Sequence, residues 1–155
     1  MHPHAELIDR FYRCFQARDG AGMAACYAPN VTFSDPVFPH LEGERAGAMW
    51  RMLCGRAADL EVQFSDVQAD DTRGSARWVA HYTFSKTGRH VENRISASFQ
   101  FRGGAILVHE DRFDFWRWSR QALGPAGLLL GWTPMIQRKV QAEAARNLDN
   151  FLARS

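Results

Sequence analysis

The 155-residue sequence has no long apolar run, no marked surplus of one charge and no cysteine framework. Its longest hydrophobic stretch, Gly127 to Trp132, is far short of the roughly 20 apolar residues that span a bilayer. The 19 basic and 17 acidic residues, a formal net charge of +2, are spread along the chain. That excludes the concentrated basic footprint of a nucleic-acid binder and an acidic tail. The three cysteines, Cys14, Cys26 and Cys54, are odd in number and show neither CxxC nor a spaced Cys/His pattern, so they read as reduced core residues. The opening MHPHAELIDR lacks the basic start and apolar core of a signal peptide. No phosphate loop, dinucleotide fingerprint or nucleophile elbow is present. The expectation is a cytoplasmic protein with no cofactor, no metal, no nucleic-acid partner and no membrane partner.

What is present is a change of period. Ala5, Leu7, Ile8, Phe11, Tyr12 and Phe15 recur at helical spacing and predict an amphipathic helix ending near Arg18 to Gly20. A second short helix is expected from about Ala21 to Tyr27, stopped by Pro29, and another from Arg45 to Arg56. From Leu60 the period falls to two. Leu60, Val62 and Phe64 alternate with polar residues. After the turn at Asp70 to Gly74 comes a strand from Arg77 to Phe84, then Lys86 to Arg89 as a hairpin turn, a strand from Val91 to Arg102, and a turn at Gly103-Gly104. The last strand is expected from Ile106 to about Trp116, with Leu107, His109, Asp111, Phe113 and Phe115 on one face. Helices ahead of an antiparallel meander give an α+β architecture with one sheet face covered. One domain spanning 1–155 is expected, with 119–155 as a helical extension. In it, Thr133-Pro134 opens a helix to about Leu152 whose apolar stripe is Val140, Ala144, Leu148 and Phe151. Its basic residues do not gather on one face, which favours a core or dimer role over a membrane surface.

Two places carry chemistry. In Val31 to Gly43, Val31 and Phe33 form a short strand pattern and Pro36 ends it, leaving Asp35 at a strand end beside Phe38 and Leu41. An apolar hollow there raises a carboxyl pKa and suits it to proton transfer near neutrality. Asp35 capping a turn is the alternative. Further on, His109 and Asp111 fall on the aromatic face of the last strand, where polar groups need partners. They are either site residues, a buried pair serving the fold, or turned outward by a bulge. A metal set of His109, Asp111 and Asp35 lacks a spaced motif.

The order helix, short helix, strand ending in Asp-Pro, helix and meander resembles the NTF2-like superfamily over residues 4 to 118. Gln16-Ala17-Arg18-Asp19-Gly20 through Ser34-Asp35-Pro36-Val37 resembles the helix end and catalytic Asp-Pro-Val of ketosteroid isomerases. His109-Glu110-Asp111-Arg112-Phe113-Asp114 resembles the Trp-x-Asp-Tyr-Phe-Asp pattern of limonene epoxide hydrolases and SnoaL-like cyclases. The resemblance implies a cone with N-terminal helices packed on a curved antiparallel sheet and Asp35 as a proton-shuttling base. It also implies Asp111 and His109 as further acid/base groups. The implied pocket lining is Phe11, Tyr12, Phe15, Phe38, Trp50, Trp78, Tyr82, Asn93 and Phe99. The chain departs from the isomerase pattern at Phe11, where that family has its oxyanion-hole tyrosine, and near Ala97, where it has a protonated aspartate. Trp78 and Ala80 replace the hydrolase's Arg-x-Asp.

A SnoaL-like pocket protein is therefore expected: a cofactor-independent isomerase, cyclase or dehydratase acting on a small apolar carbonyl or hydroxyl compound. The alternative is a non-catalytic ligand-binding or dimerisation module on the same fold. A homodimer is expected through the outer sheet face, where Val79, His81, Thr83, Val108 and Trp116 are too apolar to face water as one patch.

Overall fold

The computed structural model describes residues 1–56 and 58–154. The chain begins with α1 (Pro3–Gln16), α2 (Gly20–Ala25), β1 (Tyr27–Ser34), β2 (Leu41–Glu42) and α3 (Glu44–Arg56). The meander β3 (Glu61–Ala69), β4 (Arg73–Phe84), β5 (Arg89–Arg102) and β6 (Ala105–Arg112) follows. Three helices end it: α4 (Phe115–Leu123), α5 (Pro125–Leu130) and α6 (Pro134–Arg154).

α1 starts at Pro3, whose fixed φ suits the first helical position, and the His2 ring accepts a hydrogen bond from the His4 amide at 3.0 Å. Its predicted apolar face, from Ala5 to Phe15, is buried throughout. α2 is shorter than expected. Asp19 caps it by accepting from the Gly22 amide at 2.8 Å, and the helix stops at Ala25 rather than Tyr27. Pro29 lies inside β1, where pairing with β6 is irregular between Tyr27 and Thr32, so its missing N–H falls in the interrupted stretch of the ladder.

The sheet runs β2-β1-β6-β5-β4-β3 and is curved and unclosed. The meander is antiparallel as expected, but β1 joins β6 in parallel, which makes the whole sheet mixed rather than antiparallel. Hairpin turns announce themselves in sequence, whereas a parallel neighbour brought in from an earlier segment leaves no local signal.

The reading of β6 needs two corrections. A bulge between Gln100 and Phe101 sets Val108 opposite Gln100 but Ile106 opposite Phe101, so Leu107 is the extra residue. Ile106 and His109 both point inward, and Leu107 does not share their face. The strand also ends at Arg112. Asp114 accepts from the Arg117 amide at 3.1 Å and starts α4, so Phe115 and Trp116 belong to a helix and Trp116 is not part of the outer sheet face.

α4 then covers the part of β5 that β6 does not reach. The Gln121 side chain accepts from the Glu92 amide at 2.7 Å and donates to the Glu92 carbonyl at 3.1 Å, standing in for a neighbouring strand. Val91, Phe115, Trp118 and Ala122 form a small core of their own there. The outer face of the sheet remains open: Ser75, Arg77, Ser96 and Ser98 are exposed, with Val79 and Val108 half-buried among polar neighbours.

α6 returns to the main core. Leu148 is fully buried, Ala144 and Phe151 pack beside it, and Arg45 of α3 pairs with Asp149 at 3.0 Å. Gln137 and Gln141 each donate to the Pro36 carbonyl at 3.0 Å, tying the helix to the loop after β1. Of the placements open to this helix, it takes one on the chain's own core. Leu148→Ala should therefore cost about 2–5 kcal/mol in urea denaturation, as a core truncation does. A cost below about 1 kcal/mol would mean that α6 does not share the core.

Candidate functional site

β6 carries the two polar groups that the aromatic core must accommodate. His109 is fully buried and Asp111 is 3% exposed. The His109 ring stacks on Phe99 at 4.4 Å between centroids, tilted by 30°, and meets Phe33 and Phe11 edge-on at 5.0 and 5.4 Å. Burial without hydrogen-bond partners costs several kcal/mol, and the structure supplies partners in a line. Trp50 Nε1 donates to the Tyr27 hydroxyl at 2.7 Å, the Tyr27 hydroxyl meets His109 Nδ1 at 2.8 Å, and His109 Nε2 meets Asp111 Oδ1 at 2.9 Å. An indole is only a donor, so the Tyr27 oxygen accepts from Trp50 and its single proton is free to pass to Nδ1. Nε2 then carries the ring proton and donates to Asp111. The chain has one direction, from α3 through β1 to the end of β6.

Trp78 Nε1 also reaches Asp111 Oδ1, at 3.5 Å. Asp111 Oδ2 and the Tyr12 hydroxyl are both buried with no hydrogen-bond partner among the described residues. Burial pushes the Tyr12 hydroxyl well above its ordinary range, and the Asp111 charge pushes it further. Tyr12 and Asp111 therefore face one interior, with an acceptor and a donor left open in it.

Asp35 follows the last residue of β1, as expected. Its Oδ1 accepts from the Val37 and Phe38 amides at 2.8 and 2.6 Å, so it caps a turn. It is also a perturbed acid. Burial raises its carboxyl from the ordinary 3.8 to about 7, the Phe38 amide opposes the rise, the Asp111 charge adds to it, and the Val37 amide opposes it. The two readings of Asp35 are not exclusive: Oδ1 holds the turn while the group as a whole lies in the field of Asp111. The Asp35 charge is in turn felt at Tyr27 and Tyr82.

The expected lining residues divide into groups. Phe11, Trp50 and Phe99 surround His109, while Phe15 packs on Trp50 at 5.1 Å and on Trp78 at 5.3 Å. Tyr12 sits beside Trp78 at 6.1 Å. Phe38 is buried at the Asp35 turn and lines a groove of about 400 Å³ under α6 with Leu41, Arg45 and Arg138. Tyr82 and Asn93 are half-buried on the inner face at the far end of the sheet, where the Tyr82 hydroxyl accepts from Trp118 Nε1 at 2.7 Å. They do not touch His109. Among the described residues no three His, Cys, Asp or Glu side chains are grouped to hold a metal ion.

Tyr27 is the member that sequence reasoning misses, because its spacing and the proline after it assign it to the end of a helix. Its parity with Val31 and Phe33 is a signal that the strand starts earlier, but the irregular register between Tyr27 and Thr32 blurs it.

A mixed, curved sheet wrapped on three N-terminal helices, with its polar groups inside the wrap, defines an NTF2-like α+β protein. The chain belongs to the SnoaL-like domain family, whose model matches residues 8–109. Solved structures share the fold. An LEH-like epoxide hydrolase from M. tuberculosis superposes with a TM-score of 0.65 at 18% identity, over 82% of this chain and 92% of that one. A candidate polyketide cyclase from Xanthomonas campestris pv. campestris gives 0.64 at 23%, over 77% and 96%. A ketosteroid isomerase-like protein from Catenulispora acidiphila, in complex with trimethylamine, gives 0.68 at 14%, over 83% and 98%. No functionally curated protein matches the chain in sequence. Among the described residues no helix is long and apolar enough to cross a membrane.

The Asp35 shift has a consequence for stability. Its folded value of about 7 lies above the ordinary 3.8, so the fold favours the protonated form. That stability is fully present below about pH 4 and is lost as pH rises through about 7. Asp35→Asn keeps an oxygen for the Val37 and Phe38 amides but removes the charge. In urea denaturation from about pH 5 to about pH 8, wild type should lose roughly 1–3 kcal/mol relative to the mutant, allowing for partial exposure. A mutant less stable than wild type at the upper end would make Asp35 a charged cap instead.

Proposed function

We propose that this chain is a cofactor-independent acid/base enzyme of the SnoaL-like kind, moving a proton at a carbon beside the carbonyl of a small, largely apolar compound. The observation that carries this reading is Asp35: a carboxyl at a strand end, bonded to two amides of its turn, which burial and then the Asp111 charge push up to about 7. A base is most effective when its pKa lies near the working pH. In this reading Asp35 takes the proton, and the unpartnered Tyr12 hydroxyl donates to the carbonyl oxygen as negative charge develops there. Asp111, fixed by His109 and Trp78, is the acceptor for a substrate hydroxyl. His109 is a positioning residue, held by Tyr27. The presence of trimethylamine in one protein of this fold and the naming of another as an epoxide hydrolase support a small-molecule interior. The whole of 1–155 acts as one domain in this proposal, with 119–155 as its helical extension.

A ligand-binding module without chemistry is the second reading, favoured by the complete enclosure of His109 and by the two amides on Asp35 Oδ1. One experiment separates the two. Wild type incubated in D₂O with a panel of apolar ketones should exchange their α-protons, and Asp35→Asn should slow exchange by at least about 10²-fold. Saturable ketone binding with no exchange above buffer would leave the binding module.

The proposed assembly is a homodimer through the outer sheet face, centred on Val79 and Val108. Light scattering at micromolar concentration should give about twice 17.6 kDa. A monomer that persists on concentration removes the dimer.

A further inference from the structure

Outside the interior, the exposed apolar side chains are concentrated in one place. Apart from Met1, the large hydrophobic residues that stand exposed are Trp116, Leu128, Leu129, Leu130, Trp132 and Met135. They belong to the end of the chain that lies beyond the family match, on α5 and its two flanks. Leu129 is 68% and Trp132 70% exposed, values unusual for side chains of this size on a water-facing surface.

The backbone beneath them is closed to solvent chemistry in an uncommon way. A helix leaves its last four carbonyls without partners, and water normally completes them. In α5 every one of the four is taken by the protein. Gly127 O accepts from the Gly131 amide at 2.8 Å, and Leu128 O from Trp116 Nε1 at 3.3 Å. Leu129 O accepts from Trp132 Nε1 at 3.0 Å. Leu130 O accepts from the Thr133 amide at 2.9 Å and from its hydroxyl at 2.5 Å. The same bonds occupy both indole N–H groups, so the C-terminal end of the crest presents hydrocarbon and aromatic surface over carbonyls that are already satisfied. Carbonyls met in this way lower the cost of bringing that end of the helix into an apolar medium.

Charge completes the pattern. From residue 115 to residue 140 the chain carries Arg117, Arg120, Arg138 and Lys139 and no acidic residue. Arg120 is stacked over Trp116 at 4.4 Å, joining cation and apolar crest. An isologous pairing of two copies through this patch would bring the same cations against one another. A surface of acidic headgroups over hydrocarbon complements both features. Arg117 is turned toward Glu92 of β5 at 3.9 Å, which leaves three cations. We propose that α5 and its flanks form a docking surface for an anionic lipid bilayer, with Leu128 to Leu130 and Trp132 at the acyl boundary and Arg120, Arg138 and Lys139 at the headgroups. The expectation of no membrane partner rests on Gly127 to Trp132 being too short to span a bilayer and on the charge distribution of α6; a crest that lies on the surface needs neither a spanning run nor α6. Binding there is independent of the chemistry proposed for the interior.

The test is co-sedimentation of the full chain with vesicles of phosphatidylcholine alone and of phosphatidylcholine mixed with phosphatidylglycerol. Binding should appear with the mixed vesicles and weaken with added salt. It should be lost in Leu129→Glu, an exposed position where the substitution should leave the circular dichroism spectrum unchanged. Arg138→Gln and Lys139→Gln should each weaken it about fivefold. Failure to sediment with either vesicle overturns the proposal, as does undiminished binding by Leu129→Glu. Light scattering supplies the other outcome: a dimer that Leu129→Glu converts to monomer would assign the patch to a second copy of the chain and overturn the lipid surface.

Discussion

A histidine enclosed on every side by aromatic rings must have its hydrogen bonds met from within, and much of this fold follows from how that is done. The partners of His109 come from three separate segments: Tyr27 from the start of β1, Trp50 through Tyr27 from α3, and Asp111 from its own strand. The Tyr27 and Trp50 bonds each fix the distance between two elements separated in sequence. The parallel pairing of β1 with β6 brings Tyr27 to the ring, and the bulge at Leu107 keeps the ring facing it. Such a network is costly when broken at one member, since the remaining groups stay buried and unpaired.

The same geometry leaves the open hydrogen-bonding capacity on one side. Asp111 Oδ2 and the Tyr12 hydroxyl are unpartnered, whereas Asp111 Oδ1 and both nitrogens of His109 are occupied. Asp35, half-buried at the end of β1, feels the Asp111 charge and has its carboxyl raised toward neutrality, chiefly by burial. Rigid groups support a few free ones, which is the arrangement a small polar ligand atom in an apolar interior requires.

The periodic parts of this fold were legible in the sequence. α1, α3 and the meander follow from residues repeating every three to four or every two positions, and Asp35 at a strand end follows from the proline after it. What the sequence did not disclose depends on long-range pairing. Tyr27 looks like a helix residue until β6 is placed beside it. Phe115 and Trp116 continue an alternation on paper, but the Asp114 cap, a three-residue signal, overrides it. A bulge was considered as a way to turn His109 outward, yet the bulge that occurs lies two residues earlier and keeps it inward. The contact of α6 with the Asp35 loop had no sequence signal, because Gln137 and Gln141 bond to a main-chain oxygen.

That last contact bears on how the loop can change over time. Gln137 and Gln141 fill both lone pairs of the Pro36 carbonyl, so α6 grips the path of the loop and not its side chains. The exposed positions Pro39 and His40 are then free to vary in size and polarity while buried Phe38 stays with the core, the main chain stays anchored and the Asp35 turn keeps its shape. A lineage can retune what passes between this loop and α6 by drift at a few side chains, without first having to rebuild the clasp that holds them in place.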